Sequence, residues 1–116
     1  MKENLLIDRS ITFAARIVKL QRYLIKDKKE TVISKQIIRS GTSIGANINE
    51  ANYGQSKADF ISKLHISLKE TGESIYWLTL MKRTNLFNYD YDNLLLLAEE
   101  IKRMLIASIN TAKNNK

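Results

Sequence analysis

Few residues in this chain are equipped for chemistry. His65 is its single histidine and cysteine is absent, so it cannot assemble a histidine-rich metal site, a thiolate ligand, a disulfide or a cysteine nucleophile. Glu70 and Glu73 stand three apart, a spacing that puts two carboxylates on one helical face. A di-metal carboxylate bundle needs Glu-x-x-His motifs on facing helices, and none is present. Glu70-x-x-Glu73 alone therefore reads as a salt-bridging pair. No glycine-rich phosphate loop follows a strand, and no serine stands in a motif with a histidine and an acid. The expectation is a non-enzymatic protein with no catalytic residue, no metal and no cofactor. Tyr23, Tyr53, Tyr76 and Trp77 offer ring faces on which bases could stack, although scattered helical aromatics read first as packing residues.

The basic residues are the more informative group. The formal net charge is +7, and its distribution is lopsided. Residues 1–40 hold ten Lys/Arg against four Asp/Glu, whereas residues 41–116 hold nine against eight. Arg9, Arg16, Lys19, Arg22 and Lys26 fall on one side of the first predicted helix, and Lys35 and Arg39, four apart on the second, extend that face outward. Such a face suits the phosphates of RNA or DNA. Its bland alternative is a solvated face kept basic for solubility.

The elements that position these residues follow from composition and period. A chain of 116 residues with no proline, four glycines and 44% hydrophobic residues suits one all-α domain. The apolar spacing predicts helices over about 7–26, 31–53, 57–85 and 89–112, joined by short turns as an antiparallel up-down-up-down four-helix bundle. In the first helix, Ile7, Ile11, Ala14, Val18 and Ile25 share one line and Phe13, Ile17, Leu20 and Leu24 another, a stripe broad enough for two neighbours or another subunit. Asp27 or Thr31 is the expected cap of the second helix, Ser56 of the third, and Asn88 or Asp90 of the fourth. The third helix is expected to bury Phe60, Ile61, Leu64, Leu68, Ile75 and Leu78, with Lys63, Ser67, Glu70 and Ser74 beside that line.

The stretch from Ser40 to Gly54 is unusual, because its glycine, serine, threonine and asparagine residues are poor helix formers inside a predicted helix. Ser43, Asn47 and Glu50 form a polar line beside the apolar line of Ile37, Ile44, Ile48 and Ala51, and Gly41 and Gly45 sit four apart. Tertiary packing must offset the weak local preference. Lys63 is expected to meet Glu50 or Asn47, and Glu70 and Glu73 to find partners on another helix or subunit, because carboxylates at a packed margin are costly unless paired. No apolar run reaches the roughly 20 residues needed to span a bilayer, so a cytoplasmic protein with no membrane partner is expected.

Three runs carry a resemblance: Gln36 to Ala51 (QIIRSGTSIGANINEA), Ser56 to Leu64 (SKADFISKL) and Lys69 to Leu78 (KETGESIYWL). They resemble the "four helix bundle protein" family, also called ribosomal-RNA intervening-sequence proteins, and the likeness covers almost the whole chain. The resemblance implies an antiparallel four-helix bundle that assembles as a ring-shaped homopentamer. It also implies similarity to the accessory variability proteins of diversity-generating retroelements, basic pentamers that bind nucleic acid and work with a reverse transcriptase. On this basis Ser43, Asn47, Glu50, Lys63, Glu70 and Glu73 match family-pattern positions, read as packing and assembly determinants. The expected partners are further copies of the chain, RNA or DNA, and a reverse transcriptase or other protein; the competing class is a scaffold that recruits a partner protein without binding nucleic acid.

Overall fold

The computed structural model describes residues 2–85 and 87–115, with side chains from Leu5 onward. The described residues form four α-helices and no strand: α1 (Lys2–Lys26), α2 (Val32–Ala51), α3 (Lys57–Thr84) and α4 (Tyr91–Asn114). The turns are too short for a chain to do anything but reverse, so successive helices run antiparallel. Pairs of contacts show it: Ile17 faces Gly41 while the earlier Ser10 faces the later Gly45. Consecutive helices pack on one another and α1 closes against α4, whereas the backbones of the diagonal pairs stay apart among the described residues. The result is an up-down-up-down bundle 50 Å long and about 20 Å across. The helix α1 starts at Lys2, five residues before the apolar period predicts it to.

The helix starts are set by side chains that accept the unpaired N–H groups of the first turn. At α2 the acceptor is Glu30, which takes the N–H groups of Val32 and Ile33 on Oε2, both at 3.2 Å, and that of Ser34 on Oε1 at 2.9 Å. This corrects the expectation of Asp27 or Thr31: Thr31 occupies the cap position without a side-chain hydrogen bond. One carboxylate has the reach and the two oxygens to serve three donors, which a hydroxyl does not. Ser56 accepts from Asp59 N–H at the start of α3, and Asp90 caps α4. Asn85, in the left-handed region at φ 50°, ends α3.

The core runs the length of the bundle, from Leu6, Phe13, Ile17, Leu20 and Leu24 of α1 through Ile37, Ile44 and Ile48 of α2 to Leu94, Ile101 and Leu105 of α4. Two expected stripes are corrected. On α1 only the Phe13 line is interior; Ile11 is 61% exposed and Ile25 39%, because the neighbours α2 and α4 already cover the opposite side. On α3 the buried line is Leu64, Ser67, Thr71, Ser74, Leu78 and Met81, and Phe60, Ile61, Leu68 and Ile75 only flank the core. The hydroxyls can be central because each is satisfied there. Ser67 Oγ donates to Ile44 O at 2.8 Å, Ser74 Oγ to Ser40 Oγ at 2.9 Å, and Thr71 Oγ1 to Ser67 O at 2.8 Å.

The weak helix α2 is thus held from two sides. Toward α3 it offers Ser40 and the Ile44 carbonyl; toward α1 it offers glycines. A Cβ at Gly41 would lie 2.9 Å from two carbons of Ile17, and one at Gly45 2.9 Å from Ser10 Oγ. Close approach of α1 side chains to the α2 backbone, not a turn, is what requires glycine at these positions.

Candidate nucleic-acid interface

The structure divides the seven predicted phosphate-binding cations into two groups. Arg16, Lys19, Arg22 and Lys26 of α1 and Lys35 of α2 are exposed, and none has an acidic partner within 4.0 Å among the described residues. Arg9 and Arg39 do not belong with them. Arg9 Nε lies 3.3 Å from Glu100 Oε2 and its Nη1 3.6 Å from Asp8. Arg39 was expected to point outward; instead it turns onto α3, where Nη1 meets Glu70 Oε2 at 3.0 Å and Nη2 pairs with Glu73. The physical reason is position on the helix: Arg39 stands one turn before Ser43, at the α2/α3 margin, and two carboxylates of α3 await it there.

The carboxylates of that margin are therefore satisfied within one chain. Glu70 is only 8% exposed and is neutralised by Arg39. The Arg39 guanidinium, helped by the Trp77 N–H at 3.2 Å, holds the Glu73 carboxyl below the usual carboxylate range. Lys63 Nζ lies 3.3 Å from Glu50 Oε1, the pairing the sequence suggested. Ser43 and Asn47 turn back on their own helix, Ser43 Oγ donating to Arg39 O at 2.6 Å and Asn47 Nδ2 to Ser43 O at 2.8 Å. His65 is exposed, and among the described residues no three of His, Cys, Asp and Glu gather to hold a metal ion. No helix of the described residues is long and apolar enough to cross a membrane.

Residues that the sequence reading passed over complete the basic end of the bundle. Packing between α1 and α4 is the sparsest of the four neighbouring pairs, and a cleft of about 440 Å³ opens there, lined by Arg16, Lys19, Tyr89, Asp90, Asn93 and Leu94. Beside it the rings of Tyr23, Tyr89 and Tyr91 form a chain, with centroids 5.2 Å and 5.4 Å apart, and Lys28 lies over Tyr23 and Phe87 at 5.7 Å and 5.8 Å. Burial pushes the Tyr89 phenol up and that of Tyr91 to about 12. Tyr89 lies in the short connection before α4, where no period marks it; its Asn88-Tyr89-Asp90 setting reads as turn and cap alone.

The family model described as 23S rRNA-intervening sequence protein matches residues 2–107. The chain belongs to this family. Among solved structures it is similar to a protein of unknown function from the S23 ribosomal protein family of Bacteroides thetaiotaomicron, at 50% identity and a TM-score of 0.90, over 95% of this chain and 99% of that one. No curated protein matches.

Proposed function

We propose that this intervening-sequence family member is a non-enzymatic nucleic-acid-binding protein that grips the phosphate backbone of RNA or DNA through Arg16, Lys19, Arg22, Lys26 and Lys35. The observation that carries the reading is the sorting of charge: these five cations stand exposed without acidic partners among the described residues, while Arg9 and Arg39 are taken up by carboxylates. Five exposed cations without acidic partners on neighbouring helices present a positive field that matches a polyanion. The assembly we propose is a homopentameric ring, which multiplies this face around one particle. Exposed Ile11 and Ile25, on the shoulder of α1 away from the core, supply apolar surface for contact between copies.

The test is fluorescence anisotropy with labelled RNA and DNA over a salt series. Five phosphate contacts give a slope of log K against log salt of roughly −3.5 for single strands and −4.5 for duplex. Replacing one of the five by glutamine removes about one such contact and flattens the slope by just under one. Absence of binding at the lowest salt rejects the proposal. The scaffold reading rests on the same exposed apolar residues; capture of one specific protein partner that survives nuclease treatment favours it.

A further inference from the structure

We infer that the α1/α4 cleft is a nucleotide subsite, which takes one unpaired, amino-bearing base with its phosphate. The inference rests on the nucleic-acid reading above and adds to it a place and a chemistry. The cleft is open, and what sets it apart from other depressions of similar volume is a lining divided by character. Arg16 and Lys19, three apart on α1, put two cations without acidic partners among the described residues on one wall. Tyr89 and the buried Leu94 form an aromatic and apolar surface, and ring contacts to Tyr23 and Tyr91 fix the Tyr89 ring in place. A ring so fixed gives a base a stacking surface without an ordering cost.

The remaining wall is made of acceptors. Asp90 takes the Asn93 side-chain amide at 2.6 Å on Oδ2 and the Asn93 backbone N–H at a long 3.5 Å on Oδ1. Both carboxylate oxygens keep acceptor capacity, and Asn93 keeps its amide oxygen. A bare phosphate meets repulsion on this side. A ligand that is anionic at one end and rich in N–H donors at the other meets complementarity on both. A nucleotide carrying adenine, cytosine or guanine has that polarity, since an exocyclic amine can face Asp90 while the phosphate meets Arg16 and Lys19. Uracil has no exocyclic amine and offers only an N3–H flanked by two carbonyl oxygens, which meet the same carboxylate, so it is disfavoured. A duplex, whose bases are paired and stacked, cannot deliver a base to Tyr89 and binds through phosphates alone.

The experiment compares labelled adenine and uracil hexaribonucleotides and an RNA duplex in anisotropy titrations. Wild-type protein is expected to prefer the adenine strand over the uracil strand by about tenfold. Tyr89→Leu should lose about tenfold on the adenine strand, the worth of one stacked base, with duplex binding unchanged. Because Tyr89 packs against two rings, Asp90→Asn serves as the second variant. Asparagine caps a helix as well as aspartate, so the fold persists and the preference against uracil should shrink several-fold. AMP and UMP, followed by the Asn93 side-chain amide signals in NMR, separate the sources. A cleft that takes AMP but no strand belongs to free nucleotides, and one that takes both belongs to a strand; either supports the subsite. Equal affinity for both strands and for both variants, with the salt slope intact, overturns the subsite and leaves the phosphate-binding face standing. No binding at low salt by any probe overturns both.

Discussion

Arg39 shows at the residue scale how one side chain changes role when its neighbours are known. By sequence it is one more cation on a basic face; in the bundle it neutralises two carboxylates of α3. The depressed Glu73 carboxyl makes this a pH-dependent contribution. A group whose carboxyl is held below its unfolded value stabilises the fold above that value, and the contribution is lost as pH falls through the folded one. Denaturant unfolding of the wild type should therefore weaken from about pH 4 downward, and Glu73→Gln should flatten that part of the profile. Tyr91 presents the opposite sign. Its hydroxyl is buried without a partner, and its phenol is held protonated to about pH 12, so stability is lost as pH rises from the ordinary tyrosine value near 10 toward that limit. Tyr91→Phe removes an unsatisfied donor and should leave the neutral-pH melting curve unchanged or raise stability by up to about 1 kcal/mol.

Two kinds of glycine, at the scale of the element, lie in two helices and behave oppositely. Gly41 faces Ile17 at a distance no Cβ tolerates, and Gly72 on the outside of α3 has nothing within 4 Å. Gly41→Ala should cost about 1–3 kcal/mol by overpacking the α1/α2 crossing, set against about 1 kcal/mol of gained helix preference. Gly72→Ala gains the preference alone and should stabilise by about 1 kcal/mol; urea midpoints of the two variants should move in opposite directions. The start of α2 offers a second contrast. Glu30→Ala removes the acceptor of three N–H groups and should cost about 1 kcal/mol, the usual worth of a cap. Thr31→Ala, whose hydroxyl caps nothing, should be close to neutral. Equal losses from the two would place the cap back on Thr31.

At the scale of the whole molecule, charge and apolar surface meet on the outer side of α1, where Arg22, Ile25 and Lys26 line one shallow depression. Glu50, Glu70, Glu73, Asp92 and Glu100 pair with cations of neighbouring helices, whereas the exposed cations of α1 and the start of α2 face outward without such partners among the described residues. The exposed isoleucines Ile11 and Ile25 lie on that same outer side. In the proposed ring, Ile11→Glu should lower the particle mass in light scattering toward that of one chain while the helical circular-dichroism signal stays within about 10% of wild type, since Ile11 adds nothing to the core. An unchanged mass moves the subunit contact elsewhere.

Much of this was legible from residue order alone. Four helices, their order and the Ser56 and Asp90 caps follow from period 3.6 and from which residues stop it, because these are local properties of a chain; the Lys63–Glu50 pair, expected with Glu50 or Asn47, followed from the cost of an unpaired carboxylate at a packed margin. The inward turn of Arg39, the serine line at the heart of α3, the Glu30 cap and the Tyr89 cleft did not follow. The Glu30 cap is local, but its acceptor is a long side chain ahead of the usual cap position; each of the others depends on what a second helix places opposite it. A hydroxyl looks peripheral until a carbonyl 23 residues earlier in the chain accepts from it, and a tyrosine in a turn looks idle until α1 lays two cations beside it. Periodicity determines which elements form; distance between elements decides which polar groups are satisfied within the fold and which remain for a ligand.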